Sequence, residues 1–196
     1  AEVYNPAEYR NYVAAGFNYL YDKVGMYDTM RSIICGHCPT SAITGAWQNV
    51  DDIHDNMLYF LENHDEQRIA SDFFAGDARR AFPAFVTNIL MRQNPFMLYA
   101  GQEYGERGMD KEGFSGCDGR TTIFDYWTVG TLHRAFVEGK STEEESALER
   151  CYSEIINIAI CEKAIANGVF FDLIYVNPQL GEKQYAFLRK ADKELL

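Results

Sequence analysis

An apolar run, Met57-Leu58-Tyr59-Phe60-Leu61, stops abruptly in Glu62-Asn63-His64-Asp65. This is the pattern of a buried strand whose C-terminal end opens into a polar site. In a barrel of parallel strands, side chains at the C-terminal ends face the active-site mouth, and those at the other end serve stability. An amide, an imidazole and a carboxylate placed there offer charge and neutral hydrogen-bonding groups to a polyhydroxylated ligand. The competing reading is a helix N-cap, where Asn and Asp are common. The short motif alone leaves the two even.

The rest of the chain alternates short apolar runs with helical patterns. Ala1 to Tyr4 reads as the end of a strand. Pro6 to Ala15 reads as a helix with Asn5 as N-cap and Pro6 at its first position. Phe17 to Tyr21 is a short strand candidate, Met26 to Ile34 a helix, Ala46 to Met57 a further helix, and Leu58 to Leu61 the strand above. Asp77 precedes a helix carrying Phe82, Phe85, Val86, Ile89 and Leu90 at helical spacing, with Pro83 admissible only in its first turn. Phe96 to Ala100 is the next strand candidate. A long loop follows, with glycine at 101, 105, 108, 113, 116 and 119, and long loops in compact domains tend to be functional.

Thr142-Glu143-Glu144-Glu145 is a capping box opening the clearest helix. Leu148, Cys151, Ile155, Ile158 and Ala159 form its expected buried stripe, continued by Ile165, and Gly168 is its expected stop. Val169 to Val176 and Gln184 to Lys190 then read as strands of a hairpin. Strand–helix alternation followed by hairpin strands describes a parallel α/β unit running into a β domain.

Composition narrows the function classes. Eighteen Lys and Arg against 29 Asp and Glu give a net charge of −11, which repels phosphate backbones and argues against nucleic acid. No apolar run approaches the roughly 20 residues that span a bilayer. The chain opens without an initiator methionine and stops without an obvious terminal element, so both ends read as cut from something longer, or processed. The odd count of 5 cysteines leans weakly toward a reducing, cytoplasmic compartment. Cys151 and Cys161, inside an apolar helical pattern, are expected in the core.

Glu2 and Asp65 close two strand candidates. Were both strands in one parallel barrel, the carboxylates would share one mouth. A pair of carboxyls, one protonated and one ionised, is what glycosidic bond cleavage requires. A terminal glutamate taken alone is more often simply solvated.

These residues, taken together and in order, resemble the second half of the catalytic barrel of the α-amylase family of glycoside hydrolases. Phe60 to Asp65 resembles the family's Phe-x-x-Asn-His-Asp motif at the end of barrel strand 7. Glu2, in Ala1-Glu2-Val3-Tyr4-Asn5, resembles the general acid/base at the end of strand 5. Leu98-Tyr99-Ala100-Gly101-Gln102-Glu103-Tyr104-Gly105 resembles the strand 8 segment, and Asp118 to Trp127 the loop that follows it in many members.

The resemblance implies an α/β fold made of strands 5 to 8 of a (β/α)8 TIM barrel over residues 1–168. Residues 169–196 would then be the first strands of an all-β C-terminal domain. It implies Glu2 and Asp65 as catalytic residues, with Asp65 stabilising the transition state, and His64, Asn63, Arg68 and Tyr104 as substrate-binding residues. The implied substrate is a starch-like α-glucan or malto-oligosaccharide. No cofactor is expected from these residues, with calcium possible in a full-length parent; the family's usual calcium ligands would lie mainly upstream of Ala1, and its nucleophilic Asp at the end of strand 4 would lie there too. Without that nucleophile the chain alone is expected to be inactive. A half-barrel also leaves open strand edges, which invite self-association or a partner.

Three competing signals are weaker. Cys35-Gly36-His37-Cys38 resembles the redox motif of disulfide isomerases, but that fold needs a strand before it and a helix after, whereas a helix precedes it here. Arg68 and Arg120 read more readily as salt-bridge partners of carboxylates than as substrate contacts. Trp47 lies in a helical stretch and reads as core, while Trp127, beside the glycine-rich loop, has the better claim to stack on a sugar.

Overall fold

The computed structural model describes residues 1–111 and 117–196, so Gly113 and Gly116 of the glycine-rich loop lie outside the described residues. The chain divides into two compact units. The first comprises Ala1–Phe60, Ala84–Met97 and Ile156–Leu196, and the second Leu61–Pro83 and Leu98–Ile155.

A parallel ladder organises the first unit. Strands β1 (Leu20–Tyr21), β2 (Met57–Phe60) and β3 (Phe96–Met97) pair in chain order, with Leu20 opposite Met57 and Tyr59 opposite Phe96. Glu2 adds a parallel bridge to Tyr21, and Tyr21 N–H donates to the Ala1 carbonyl at 3.0 Å. The expected strands at Phe17–Tyr21 and Phe96–Ala100 are thus shortened to two residues each, because only two pairs per interface find backbone partners. Leu20, Met57, Tyr59 and Phe60 are buried, and Tyr27 stacks on Phe60 with ring centroids 4.8 Å apart.

The helices between the strands begin where local chemistry favours a start. Asn5 Oδ1 accepts from Ala7 N–H ahead of a 3₁₀ turn over Pro6–Glu8 and helix α1 (Tyr9–Ala14). After β1, a π-type turn over Lys23–Tyr27 leads into α2 (Asp28–Ile34). The helix expected over Ala46–Met57 is instead α3 (Ala42–Gln48) and a separate 3₁₀ segment, Asp51–Asn56. Val50, buried with φ −126°, breaks the two apart. Exposed Asp51 and Asp52 in the second piece pair with Arg92 and Arg10, each at 2.6 Å.

Asp77 accepts from Arg79 N–H and opens the 3₁₀ turn before α4 (Phe82–Leu90), with Pro83 in the first turn of that helix as its missing N–H requires. After the short α5 (Gly130–His133), α6 (Glu143–Cys161) starts at the expected capping box. Glu145 N–H donates to Thr142 Oγ1 at 3.1 Å, and Thr142 N–H to Glu145 Oε2 at 2.8 Å. The buried stripe of α6 runs through Glu145, Leu148 and Tyr152 rather than through Cys151. Cys151 and Cys161 are exposed, which corrects the expectation of a core position: each sits off the stripe, on the solvent side of the helix.

Helix α7 (Lys163–Asn167) ends at Gly168, and the expected hairpin follows as β4 (Val169–Asp172) and β5 (Phe187–Ala191), extended by β6 (Glu194–Leu195) into an antiparallel sheet. Two buried charged groups fasten this sheet within the first unit. Asp172 Oδ2 accepts from Thr44 Oγ1 (2.6 Å), Trp47 Nε1 (2.9 Å) and the Tyr185 hydroxyl (3.0 Å), so the helical Trp47 is a half-buried anchor for the hairpin. Arg189, 1% exposed, donates to the carbonyls of Met91 (2.6 Å), Ile165 and Gly168 (both 2.7 Å). These carbonyls lie just past or within the last turns of α4 and α7, where a cation is favoured. Burial and the neighbouring Arg92 charge push the Arg189 guanidinium down to about 10.

One buried carboxyl stands directly after β1. Asp22 is fully buried, accepts from Gly25 N–H at 3.1 Å, and lies 3.5 Å from the Tyr9 hydroxyl. A Cβ on Gly25 would come within 2.2 Å of Asp22 Oδ1, so this turn admits only glycine. Burial raises the Asp22 carboxyl to about 6, against the lowering effect of hydrogen bonds from the Met26 and Gly25 amides.

A carboxyl raised on folding contributes stability below its unfolded pKa and loses it as pH rises through the folded one. With a shift of about two units, Asp22 is expected to remove about 3 kcal/mol between roughly pH 4 and pH 7. Denaturant midpoints of the wild type and Asp22→Asn check this. The wild type should fall relative to the variant across that window and run parallel above it; parallel curves throughout would show that Asp22 is not perturbed.

Candidate active site

The turn that leaves β2 is built from the second unit, and its order rests on two buried residues. Glu62 is 2% exposed and Asn63 6%. Glu62 Oε1 accepts from Ile69 N–H at 2.7 Å, while Oε2 pairs with Arg68 Nη1 at 2.7 Å. Asn63 Oδ1 accepts from the amides of both Asp65 (2.9 Å) and Glu66 (2.8 Å), an Asx arrangement that fixes the turn between them. The Glu62 carboxyl is pushed up by burial, against the Arg68 charge and the hydrogen bonds from Arg68 and Ile69 that favour its ionised form.

Arg68 extends the brace. Its Nε and Nη2 donate to Thr121 Oγ1 at 3.0 and 2.7 Å, Nη2 also reaches the Ala100 carbonyl at 2.9 Å, and its guanidinium lies 4.0 Å from the Tyr99 ring centroid. The backbone joins in, Arg68 N–H donating to the Gly119 carbonyl at 2.6 Å. Gly119 has φ +85°, and a Cβ there would meet Ser71 at 2.7 Å, so the close approach of the glycine-rich loop needs glycine. Two residues expected as substrate contacts have protein partners. Arg68, 1% exposed, spends its guanidinium on protein groups, as the salt-bridge reading had it, and the Asn63 carbonyl oxygen serves the turn. Arg120 likewise lies 3.0 Å from Asp118.

This brace presents His64 and Asp65 to solvent. Their side chains are 45% and 52% exposed, with His64 Nε2 3.4 Å from Asp65 Oδ2. An exposed carboxylate beside an imidazole, on a turn held at four backbone or side-chain points, can hydrogen-bond hydroxyls and stabilise a developing positive charge. Glu2 lies in the first unit, at the parallel bridge to Tyr21, where its Oε1 accepts from the Tyr4 hydroxyl at 2.7 Å.

Tyr104 is half-buried, its ring edge-on to Phe136 with centroids 5.8 Å apart, and burial together with Glu149, Glu103 and Glu145 raises its hydroxyl. Glu106, which the sequence reading did not single out, is 6% exposed. Burial acts to raise it, but hydrogen bonds from Thr131 Oγ1 (2.6 Å) and Gly108 N–H (2.9 Å), with the Arg68 charge, hold it below the usual range. Its position after Tyr-x-x-x-x-x-Gly gave no sequence signal; only the fold of the loop buries it.

The cysteine motif does not have the surroundings a reactive thiolate needs. Cys35 is the C-cap of α2, the negative end of that helix, and burial pushes the Cys38 thiol up. Among the described residues no group of three or more His, Cys, Asp or Glu side chains is arranged to hold a metal ion. No described helix is long and apolar enough to cross a membrane.

Glu62→Gln leaves the buried Arg68 without its counter-charge and is expected to cost about 3–5 kcal/mol. Arg68→Met is expected to cost a similar amount. The double variant should recover much of either loss, because the expense lies in the orphaned charge. Chemical denaturation of the three variants measures this, and strictly additive losses would refute it.

No family model matches the chain, and no characterised protein matches it by sequence. Solved structures do match its fold. The α-amylase from H. orenii superposes with a TM-score of 0.69 at 20% identity, over 99% of this chain and 41% of that one. AmyP in complex with maltose gives 0.64 at 18% identity, over 100% and 43%. The cyclic α-maltosyl-(1→6)-maltose hydrolase from Arthrobacter globiformis gives 0.61 at 15% identity, over 98% and 44%. The chain thus spans less than half the length of the structures it matches. It has an α/β fold, and that fold is the fold of part of an α-amylase-family structure.

Proposed function

We propose that this chain is the strand 5 to 8 portion of an α-amylase-type (β/α)8 barrel over residues 1–168, with residues 169–196 opening a C-terminal β domain. The parallel ladder from the Glu2 bridge through β1, β2 and β3 supports this, as do the intervening helices and the antiparallel hairpin that follows. In this reading the activity is retaining cleavage of α-glucosidic bonds in starch-like glucans or malto-oligosaccharides. The observation that carries it is the exposed His64–Asp65 pair on a braced turn at the C-terminal end of a parallel strand.

The roles follow from the chemistry. Glu2 protonates the leaving glycosidic oxygen and then, as the base, activates water. Asp65 stabilises the positive charge that develops at the anomeric carbon, and His64 hydrogen-bonds hydroxyls of the same sugar. Double displacement needs a further carboxylate as nucleophile. In the resemblance that group belongs upstream of Ala1.

Two measurements test the reading. The 196-residue chain by itself is expected to show no significant hydrolysis of maltotriose. In a chain extended upstream to include the nucleophile, Glu2→Gln should sharply reduce turnover of maltotriose yet spare an aryl glucoside with a good leaving group, which needs little acid assistance. Equal loss on both substrates would remove Glu2 from the acid role.

A second reading is a non-catalytic half-barrel that assembles with a partner or itself, favoured by the ladder ending at β3 on one side and at the Glu2 bridge on the other. Sedimentation of the 196-residue chain decides how exposed these edges are. Self-association is expected, and a monomer with one cooperative unfolding transition would count against open edges.

A further inference from the structure

The first unit contains a cavity of about 310 Å³, lined from α3, from the segment after α4 and from strands β4 and β5. Its volume lies at the lower end of the range of small-ligand sites. Trp47, Val169 and Phe170 supply apolar wall, and the Arg92 guanidinium lies 5.2 Å from the ring centroids of both Trp47 and Phe170. Two polar groups on the wall are already fixed by protein partners. Gln93 Nε2 donates to the Ala166 carbonyl at 2.7 Å, and the His54 ring lies 2.8 Å from the Asp51 carbonyl oxygen and 3.1 Å from Asp55 Oδ1.

The charges on this wall do not cancel. Arg92 Nη2 pairs with Asp51 Oδ1 at 2.6 Å, but the carboxylate is 57% exposed and solvent screens the pair. Arg189 is 1% exposed and donates only to carbonyls; among the described residues no carboxylate pairs with it. Burial and then the Arg92 charge lower the Arg189 guanidinium, so the two like charges act on each other. Each also keeps a buried nitrogen, Arg92 Nη1 and Arg189 Nε, with no hydrogen-bond partner among the described residues. A buried donor on a charged group is costly to leave unpaired. Counting groups that stay charged at neutral pH, two guanidiniums and one carboxylate line the cavity, one positive charge in excess. A monoanion cancels that excess, a dianion overshoots it and a cation is repelled. A planar carboxylate brings two oxygens to donors on two guanidiniums, and the apolar wall favours an apolar body behind it.

We propose that this cavity binds a small apolar monocarboxylate, its carboxylate held by Arg92 and Arg189 and its body against Trp47, Val169 and Phe170. The site lies wholly within the first unit and includes neither Glu2 nor any residue of the His64–Asp65 turn, so it is independent of the glycosidase reading.

The test is calorimetric titration of benzoate into the 196-residue chain and its variants, with benzamide as the uncharged isostere and circular dichroism to verify folding. Benzoate should bind, and benzamide about tenfold more weakly or worse, for want of a charge-assisted hydrogen bond. Arg92→Gln should weaken benzoate binding by about tenfold for the same reason. Val169 is 61% exposed on β4, so its replacement leaves the fold intact even if Arg92→Gln does not fold. Val169→Glu sets a like charge on the wall and is expected to weaken benzoate binding about tenfold, whereas Val169→Gln should change it by about twofold at most. The absence of benzoate binding by the folded wild type overturns the proposal, as do equal affinities for benzoate and benzamide. Unaltered affinity in Val169→Glu overturns it too, by placing benzoate elsewhere. Phosphate or chloride binding more tightly than benzoate overturns it by assigning the cavity to an inorganic anion.

Discussion

The buried pair between Glu62 and Arg68 is the constraint on which the candidate site depends. Two opposite charges taken out of water are favourable only when their remaining hydrogen-bonding capacity is met. Here it is met from several directions: Ile69 N–H on the carboxylate, Thr121 Oγ1 and the Ala100 carbonyl on the guanidinium, and the Tyr99 ring against its face. The partners come from three stretches of the second unit, so the pair ties the turn after β2 to the segment after β3 and to the end of the glycine-rich loop. Asn63 completes the turn by accepting two amides. His64 and Asp65 are left with nothing structural to do, and they are the exposed members of the motif.

That division of labour explains why neighbouring polar residues differ so much in burial. Glu62 and Asn63 face inward and hold geometry; His64 and Asp65 face water. A carboxylate on a rigid turn stabilises developing charge better than one on a mobile loop, because little reorganisation is needed when the charge appears. Glu106 plays a comparable structural part in the same unit, kept ionised by Thr131 and Gly108 and adding its charge near Arg68.

The first unit uses buried charge in the same way. Asp172 collects donors from Thr44, Trp47 and Tyr185, and Arg189 collects carbonyls at the ends of two helices. Between them they hold the antiparallel sheet, while Val169, Phe171 and Leu195 remain exposed. Asp22 is the exception. One of its oxygens has no hydrogen-bond donor, and its carboxyl rises to about 6 as a result of burial. The tight Gly25 turn that approaches it gives two amides in partial compensation.

Local signals in the sequence were sufficient where the physics is local. Asn5-Pro6, Thr142 to Glu145 and Asp77 act within one turn of backbone, and each starts a helical segment where the residue types require it. The apolar run ending in Asn-His-Asp marked β2 and the turn after it, because burial and solvation change sharply at that point in the chain. The strand lengths were not legible, since a strand ends where its neighbour stops offering hydrogen bonds. Nor was the exposure of Cys151, which depends on which of two adjacent helix faces meets the core. Arg68 illustrates the limit best. Its charge and position leaned toward a salt bridge over a ligand contact, but only Glu62, Tyr99 and Thr121, brought together by the fold, decided that it would be buried. Sequence determined which groups were available at the end of β2; tertiary structure decided which of them were spent on the protein and which were left exposed to solvent, because desolvation and long-range hydrogen bonding are set by neighbours distant along the chain.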